Sequence, residues 1–413
     1  LFLGKCKIAA EQVKMSLHQR IKKASDLILN AEDVRIISHY DADGIAAAGI
    51  LCNAFFRKKI KFHASFVKSL GSKTIDRIKN EKNPLVLFLD MGSGQIDDIE
   101  DVKSTVIILD HHAQFRESKI VQINPHFFGI SGTDEACAST LSFLLAKTMD
   151  EKNSDLVGLC VAGIVGDKQI PFKGLNKEIV EEGIKNNFIR KEKGLSLGLE
   201  PFFKNDFNAT GNKRFDDSMI IMLLLKQNVK YDVIEKFFGT YYISEYETDA
   251  LTFSDVLNAC GRTDDEGLGL EICLNKKMLK EGLRIKDEYE KEVKRYASNL
   301  NDEVKTMNHI QYFYCEKPNL SGTLAGIGMA YLFDQEKPTL ALSKVNNLLK
   351  VSSRGTGYLV DKGLDLADAL KASAESLGGH GGGHNIAAGA TISKDKDEEF
   401  LNMVDNIVGE QLK

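Results

Sequence analysis

Four apolar runs dominate the first half of the chain, and each of them stops at a carboxylate. They are VRIIS (34–38), PLVLFL (84–89), TVIIL (105–109) and LCVAGIVG (159–166). The first three are short, continuous and rich in Val, Ile and Leu, which is how strands buried on both faces of a parallel sheet read. The fourth fits a strand or a helix, because Ala162 and its glycines leave the periodicity open. Residues 14–29, 44–57 and 72–82 carry helical spacing between these runs. Strands alternating with helices predict an α/β fold built on a parallel sheet.

The polar residues at the end of each run carry the chemistry. HYDADG comes after the first, Asp90 after the second, Asp110-His111-His112 after the third and Asp167 after the fourth. Open parallel sheets bind ligands outside the carboxyl ends of their strands. His39, Asp41, Asp43, Asp90, Asp110, His111, His112 and Asp167 are therefore expected to converge on one site. A lone D-x-D or His-His pair is most often a turn or a cap, but four acids at four successive run ends form a different pattern. Asp41 and Asp43 alternate, so a turn is needed for both to face one site, and Gly44 is placed to allow it. Carboxylates brought together repel unless cations sit among them. A mixture of carboxylates and imidazoles suits Mn²⁺ or Mg²⁺ better than a thiolate-built zinc site. Such a set supports two ions about 3.5–4 Å apart that clamp attacking and leaving oxygens.

Further along, residues 197–261 read as helical and irregular, with an aromatic cluster FFGTYYISEY at 237–246. Phe237, Phe238, Tyr241 and Tyr242 could stack bases, although aromatics at helical spacing are more often core. Residues 276–301 have helical periodicity and dense charge of both signs, as a partly solvated connector helix has. A second α/β unit comes next: IQYFYC (310–315), a helix near 323–333, PTLALSK and NLLKVSSR as strands, GGHGGGHNIAAGATI and a C-terminal helix. Three domains are expected, at 1–195, 196–306 and 307–413. The cluster GGHGGGH (378–384) lacks a Lys-Ser/Thr pair and is no Walker loop. Its glycines would let backbone N–H groups approach an anion, or would make a flexible surface loop. Arg354 is a candidate phosphate fork or a surface ion-pair partner. Asn258 and Arg262 lie in NACGR, where Gly261 could stop a helix.

Bulk properties narrow the class. The chain has 413 residues, 43% hydrophobic and 27% charged, and a formal net charge of −5. That balance excludes duplex binding by global positive charge, while leaving room for an enzyme whose metal ions and a few arginines supply it locally. The seven cysteines are scattered among apolar neighbours, as reduced core residues of an intracellular protein are. No apolar stretch is long enough to span a bilayer, so the expectation is a cytoplasmic protein without membrane contact.

With these residues in view, the chain resembles the DHH phosphoesterase superfamily, whose named motif is Asp110-His111-His112. SHYDADGI, FLDMGSG and GIVGDKQ match the other motifs in order, and VSSRG with GGHGGGHNIAAGA is similar to the DHH-associated domain. LNACGRTDDEG resembles a segment of RecJ-type single-strand exonucleases. The resemblance implies a parallel-sheet DHH domain and a smaller DHH-associated domain, joined through a helical region. It implies His39, Asp41, Asp43, Asp90, His111 and Asp167 as ligands of two Mn²⁺ or Mg²⁺ ions. Asp90, Asp110, His111 and His112 form the catalytic set, Asp110 orienting the imidazoles and His112 contacting the scissile phosphate. Substrate would be held by Asn258, Arg262, Ser353, Arg354, Gly381, Gly382, Gly383 and His384. The implied reaction is hydrolysis of phosphodiester bonds in single-stranded DNA or RNA by metal-activated water, with replication or repair proteins as further partners.

Two departures matter. Bacterial RecJ has an oligonucleotide-binding-fold domain after the glycine-histidine motif, whereas this sequence ends soon after His384. His39 stands where many RecJ proteins have an acid, as in archaeal relatives. The polarity of digestion is therefore not carried over. Alternatives are a phosphodiesterase for short oligonucleotides or cyclic dinucleotides, and a replisome scaffold with a DHH fold. Asp90→Ala is expected to abolish hydrolysis with little loss of fold.

Overall fold

The computed structural model describes residues 15–81, 83–113, 116–195, 222, 226 and 238–413. They form two compact units, Leu1–Asp287 and Glu288–Lys413.

The first unit is built on a five-stranded sheet of order β2-β1-β3-β4-β5, with β1 Asp33–His39, β2 Lys61–Val67, β3 Leu85–Leu89, β4 Thr105–Leu109 and β5 Val121–Ile123. Every neighbouring pair is parallel. Strand alternation explains why the runs are continuously apolar. Leu85, Leu87 and Leu89 enter one buried cluster with Ile36 and Ile107, while Val86 and Phe88 enter another with Ile37 and Ile108. On the first face pack α1 (Leu17–Leu29), α2 (Ala42–Lys58), α4 (Ala138–Met149) and α5 (Val157–Gly166); on the other lies α3 (Ser72–Glu81). Arg35 lies within a buried strand and is satisfied there. Its guanidinium donates to Glu81 at 2.7 Å, to the Ile36 and His63 carbonyls, and to the Ser65 hydroxyl.

The fourth apolar run is helix α5 rather than a strand. Residues 157–165 are buried throughout, and a helix enclosed on all sides has no polar stripe to betray its period. After α6 (Gly174–Lys185), strands β6 (Ile189–Leu195), β7 (Phe238–Ile243) and β8 (Thr248–Asp249) form an antiparallel sheet. The aromatic segment from Phe238 is thus strand, not helix; Tyr241 packs on Phe172 with ring centroids 4.7 Å apart. Most of the helical stretch expected from Leu197, and Phe237 with it, lies outside the described residues.

Helices α7 (Ala250–Arg262) and α8 (Glu266–Leu274) were expected in a separate lobe. Instead Phe253, Val256, Leu257, Cys260, Ile272 and Cys273 share the core of the first unit. Gly261 is not a helix stop, since α7 continues to Arg262 and Thr263 caps it. A β-carbon at Gly261 would lie 1.8 Å from the Tyr40 carbonyl oxygen, so the glycine is there for close approach. Helix α9 (Leu279–Ala297) is the connector, and the unit boundary falls within it.

In the second unit a six-stranded sheet has the order β13-β14-β12-β11-β10-β9. Its strands are β9 Lys305–Thr306, β10 Gln311–Tyr314, β11 Thr339–Val345, β12 Leu348–Arg354, β13 His380–Gly383 and β14 Ala387–Ser393. Helices α10 (Ser321–Ile327), α11 (Leu366–Ser376) and α12 (Asp397–Gln411) complete it. The glycine cluster is an edge strand paired with β14 rather than a loop. Among the described residues, no helix is long and apolar enough to cross a membrane.

Candidate metal centre

The sheet order sends the connection after β1 to β2 on one side and the connection after β3 to β4 on the other. Open sheets bind ligands outside the carboxyl ends of the two strands where the order reverses, here β1 and β3. His39 closes β1 and Asp90 comes directly after β3. Asp41 and Asp43 face this point because the turn between them is the start of α2. The Asp41 carboxylate caps it, accepting from the Gly44 amide at 3.1 Å. Gly44 serves by thinness, as a β-carbon there would meet the His39 carbonyl oxygen at 2.3 Å. The Ala42 amide donates to the Asn258 side chain at 3.0 Å.

Asp43 is buried at the amino end of α4, accepting from the Ala138 and Ser139 amides at 2.8 Å each and from the Cys137 thiol at 3.1 Å. Amide donors at a helix start are the natural seat of an anion. Asp90 takes a left-handed φ of 59°, which an aspartate tolerates better than most residues. Its two oxygens point different ways: one lies 3.1 Å from His111 Nε2, the other 3.2 Å from His39 Nδ1. His111 Nδ1 donates to the Gly132 carbonyl at 2.6 Å, leaving Nε2 to face Asp90, Asp43 at 3.9 Å and Asp167 at 3.7 Å. Asp167 caps α5.

Two potential ligand groups result, His39-Asp41-Asp90 and Asp43-His111-Asp167; a further grouping joins Asp90, His111 and His112. Asp90 presents one oxygen to each of the first two. Buried His39 Nδ1 lies 3.0 Å from Asp41 and 3.2 Å from Asp90, yet makes no well-formed hydrogen bond to either. A lone nitrogen among carboxylate oxygens is the donor arrangement of a cation site, and the nitrogen and oxygen donors suit Mn²⁺ or Mg²⁺. The residues fit a metal.

Their protonation says the same. Burial pushes Asp167 up to about 8, and burial with the charge of Asp90 pushes Asp43 up to about 6. Burial works against charge on His39 and His111, but Asp41 and Asp90 hold His39, and Asp167, Asp90 and Asp43 hold His111, well above the usual histidine value. Burial would raise Asp90 too; the imidazoles of His111 and His39 beside it outweigh that and keep the carboxyl far below its ordinary range. Without metal, protons neutralise the cluster.

Asp110 serves His112, not both imidazoles. It accepts from His112 Nδ1 at 2.6 Å, from the amides of His111 and His112, and from the Ser93 amide at 2.8 Å. Burial opposes its charge, but the His112 hydrogen bond wins and holds Asp110 at about 2. The His111 ring is instead set by Gly132.

The expected substrate residues divide. Asn258 is committed to Ala42, and Arg262, half-buried, is the last residue of α7. Ser353 is fully buried with its hydroxyl on Ala388, which puts it out of a substrate's reach. Arg354 ends β12 and donates to the Ser353 carbonyl at 2.8 Å. Gly381, Gly382 and Gly383 lie in β13, and exposed His384 opens the turn to β14, its amide donating to the Ala387 carbonyl at 2.8 Å. Sequence reasoning missed Ser93, Gly132, Cys137 and Gln169. Gly132 and Ser93 act through backbone atoms, which leave no residue-type signal; Gln169 lies two positions after Asp167 and was legible as a neighbour.

Residues 33–164 match the DHH family, N-terminal domain, and residues 309–410 match the DHHA1 domain. An uncharacterized protein of Methanocaldococcus jannaschii is 35% identical, covering 97% of this chain and 99% of its own length. RecJ of Thermus thermophilus in complex with Mn²⁺ superposes with a TM-score of 0.64 at 17% identity, over 95% of this chain and 55% of that one. The chain thus spans about half the length of that RecJ. CDC45 of Entamoeba histolytica superposes with a TM-score of 0.68 at 11% identity, over 95% of this chain and 99% of that one.

Proposed function

Because this chain belongs to the DHH phosphoesterase superfamily, with a RecJ-like fold, we propose that it is a metal-dependent exonuclease hydrolysing phosphodiester bonds of single-stranded nucleic acid. The observation that carries this reading is Asp90, whose two carboxylate oxygens face two separate groups of nitrogen and oxygen donors at one end of the sheet. His39, Asp41 and Asp90 would hold one divalent cation, and Asp43, His111 and Asp167, with Asp90 between, a second. RecJ relatives bind Mn²⁺ and Mg²⁺, and the donor set here suits the same ions. Bound cations would supply Lewis acidity toward phosphoryl oxygen and a more acidic water at neutral pH.

The chain's own groups do the rest. Asp110 holds His112 by Nδ1 and favours its protonated form, so Nε2–H is available as a donor to a phosphate oxygen. Each unit by itself also carries candidate donors for phosphate oxygens, Arg262 in the first and Arg354 and His384 in the second. Every expected ligand position holds a metal-ligating residue, which favours an enzyme over a scaffold that shares the fold.

The test is incubation with Mn²⁺ and a single-stranded oligonucleotide labelled in parallel at either end. Progressive shortening with mononucleotide release supports the proposal, and the label released first gives the polarity. Intact long strands with cleaved dinucleotides would replace it with a small-substrate phosphodiesterase. Bound metal without any cleavage would point to the scaffold role.

A further inference from the structure

Behind the ligands runs a buried chain of hydrogen bonds that no step of the proposed reaction uses. The Cys137 amide donates to the Thr140 hydroxyl at 3.1 Å, and that hydroxyl donates to the Asn176 side-chain oxygen at 2.5 Å. The Asn176 amide nitrogen donates to Gln169 Oε1 at 2.6 Å. Gln169 Nε2 then donates to Asp167 Oδ2 at 2.7 Å and to the Gly132 carbonyl at 2.9 Å, with a longer contact to the Ala136 carbonyl at 3.4 Å. The Gly132 carbonyl is the one that receives His111 Nδ1–H at 2.6 Å. Thr140 and Asn176 are fully buried and Gln169 is 1% exposed, so water cannot substitute for a missing partner.

The direction of the chain is forced at its far end, where the Gly132 carbonyl can only accept. Neither the Gln169 nor the Asn176 amide can therefore flip without leaving two like groups face to face. We propose that Gln169 is a positioning residue of the metal centre, whose side-chain NH₂ group fixes Asp167 and the tautomer-setting acceptor of His111 at once. One side chain thereby couples two ligands from separate segments, one after α5 and one after β4. This role rests on the metal-centre reading. Outer partners of metal ligands act in this way generally, orienting the ring and the carboxylate.

The experiment is Mn²⁺ titration followed by the loss of the free-ion spin-resonance signal, with the wild-type protein and Gln169→Leu, each checked for fold by circular dichroism. Wild type failing to bind Mn²⁺ would overturn the metal-centre reading itself. With wild type binding, Gln169→Leu is expected to lose about 10–100-fold in affinity. It should also lose kcat with KM near the wild-type value, since the residue touches no substrate. Equal affinity in the two proteins would overturn the role assigned to Gln169. If Gln169→Leu does not fold, Thr140→Val carries the test from the far end of the chain. It keeps the side-chain shape and removes the hydroxyl that accepts from the Cys137 amide and donates to Asn176, so several-fold weaker Mn²⁺ binding is expected, and unchanged binding would equally sink the proposal.

Discussion

The amide of Ala42 donates to the side-chain oxygen of Asn258, 3.0 Å away, across 216 positions of sequence. That bond joins α7 to the first turn of α2, the turn that brings Asp41 and Asp43 to one side. Asn258 therefore works on the ligand turn. Asn258→Ala should cost about 1–2 kcal/mol, the usual effect of an unfilled helix-start donor. Mn²⁺ binding should weaken with it. Chemical unfolding and a metal titration check both, and an unchanged Mn²⁺ affinity would detach Asn258 from the site.

The acids are not interchangeable in the metal-free protein. Asp167 is pushed up by burial, so its charge is a burden at pH 8, whereas Asp90 is held down by His111 and His39. Asp167→Asn should raise metal-free stability at pH 8 by about 1 kcal/mol, a few degrees in Tm. Asp90→Asn should lower it, which revises the expectation that Asp90 can be removed with little loss. Both variants should lack Mn²⁺-dependent hydrolysis. Thermal unfolding in EDTA separates them; opposite signs are required.

Stability without metal should fall as pH rises from about 4 to 8, the Asp43 contribution being lost by about 6 and that of Asp167 by about 8. Asp167 and Asp43, with raised folded values against 3.8, bind more protons folded than unfolded, and so do His39 and His111 above 6.5. For such groups the stabilisation is complete below the unfolded pKa and disappears through the folded one. The depressed Asp90 acts in the other direction, but only near pH 4 and below. Metal binding needs deprotonated ligands, so the Tm gain on adding Mn²⁺ should widen over the same range. A gain that shrinks with pH would contradict the assignment.

Gly261→Ala tests close approach against helix propensity. In an unhindered helix the change adds about 0.5–1 kcal/mol. Here the new methyl would meet the Tyr40 carbonyl at 1.8 Å, next to His39, and a net loss of about 2 kcal/mol is expected. Denaturant unfolding decides between the two signs.

Arg354→Ala should raise KM for an oligonucleotide while leaving Mn²⁺ affinity as in wild type, because Arg354 ends a strand of the second unit and, among the described residues, the groups that could hold a metal belong to the first. Equal KM values would remove Arg354 from substrate binding.

Sequence alone determined β1, β3 and β4 and the gathering of candidate ligands at their ends. A short continuous run of Val, Ile and Leu suits a strand buried on both faces, and the polar residue ending such a run lies at the sheet's edge. His39, Asp90 and Asp110 were legible for that reason. Motif order carried the family, because DHH, its partner motifs and the glycine-histidine segment occur in a fixed succession. Tertiary structure decided what periodicity does not encode. Helix α5 has no polar face, so its type could not be read from its pattern. The glycines of β13 read as loop because pairing with β14, not side chains, makes them a strand. Helices α7 and α8 join the first core through contacts far apart in sequence. The supports of the ligands were hidden for the same reason: the Gly132 carbonyl, the Ser93 amide and the 216-residue reach from Asn258 to Ala42 are backbone partnerships, and any residue type can supply a backbone atom.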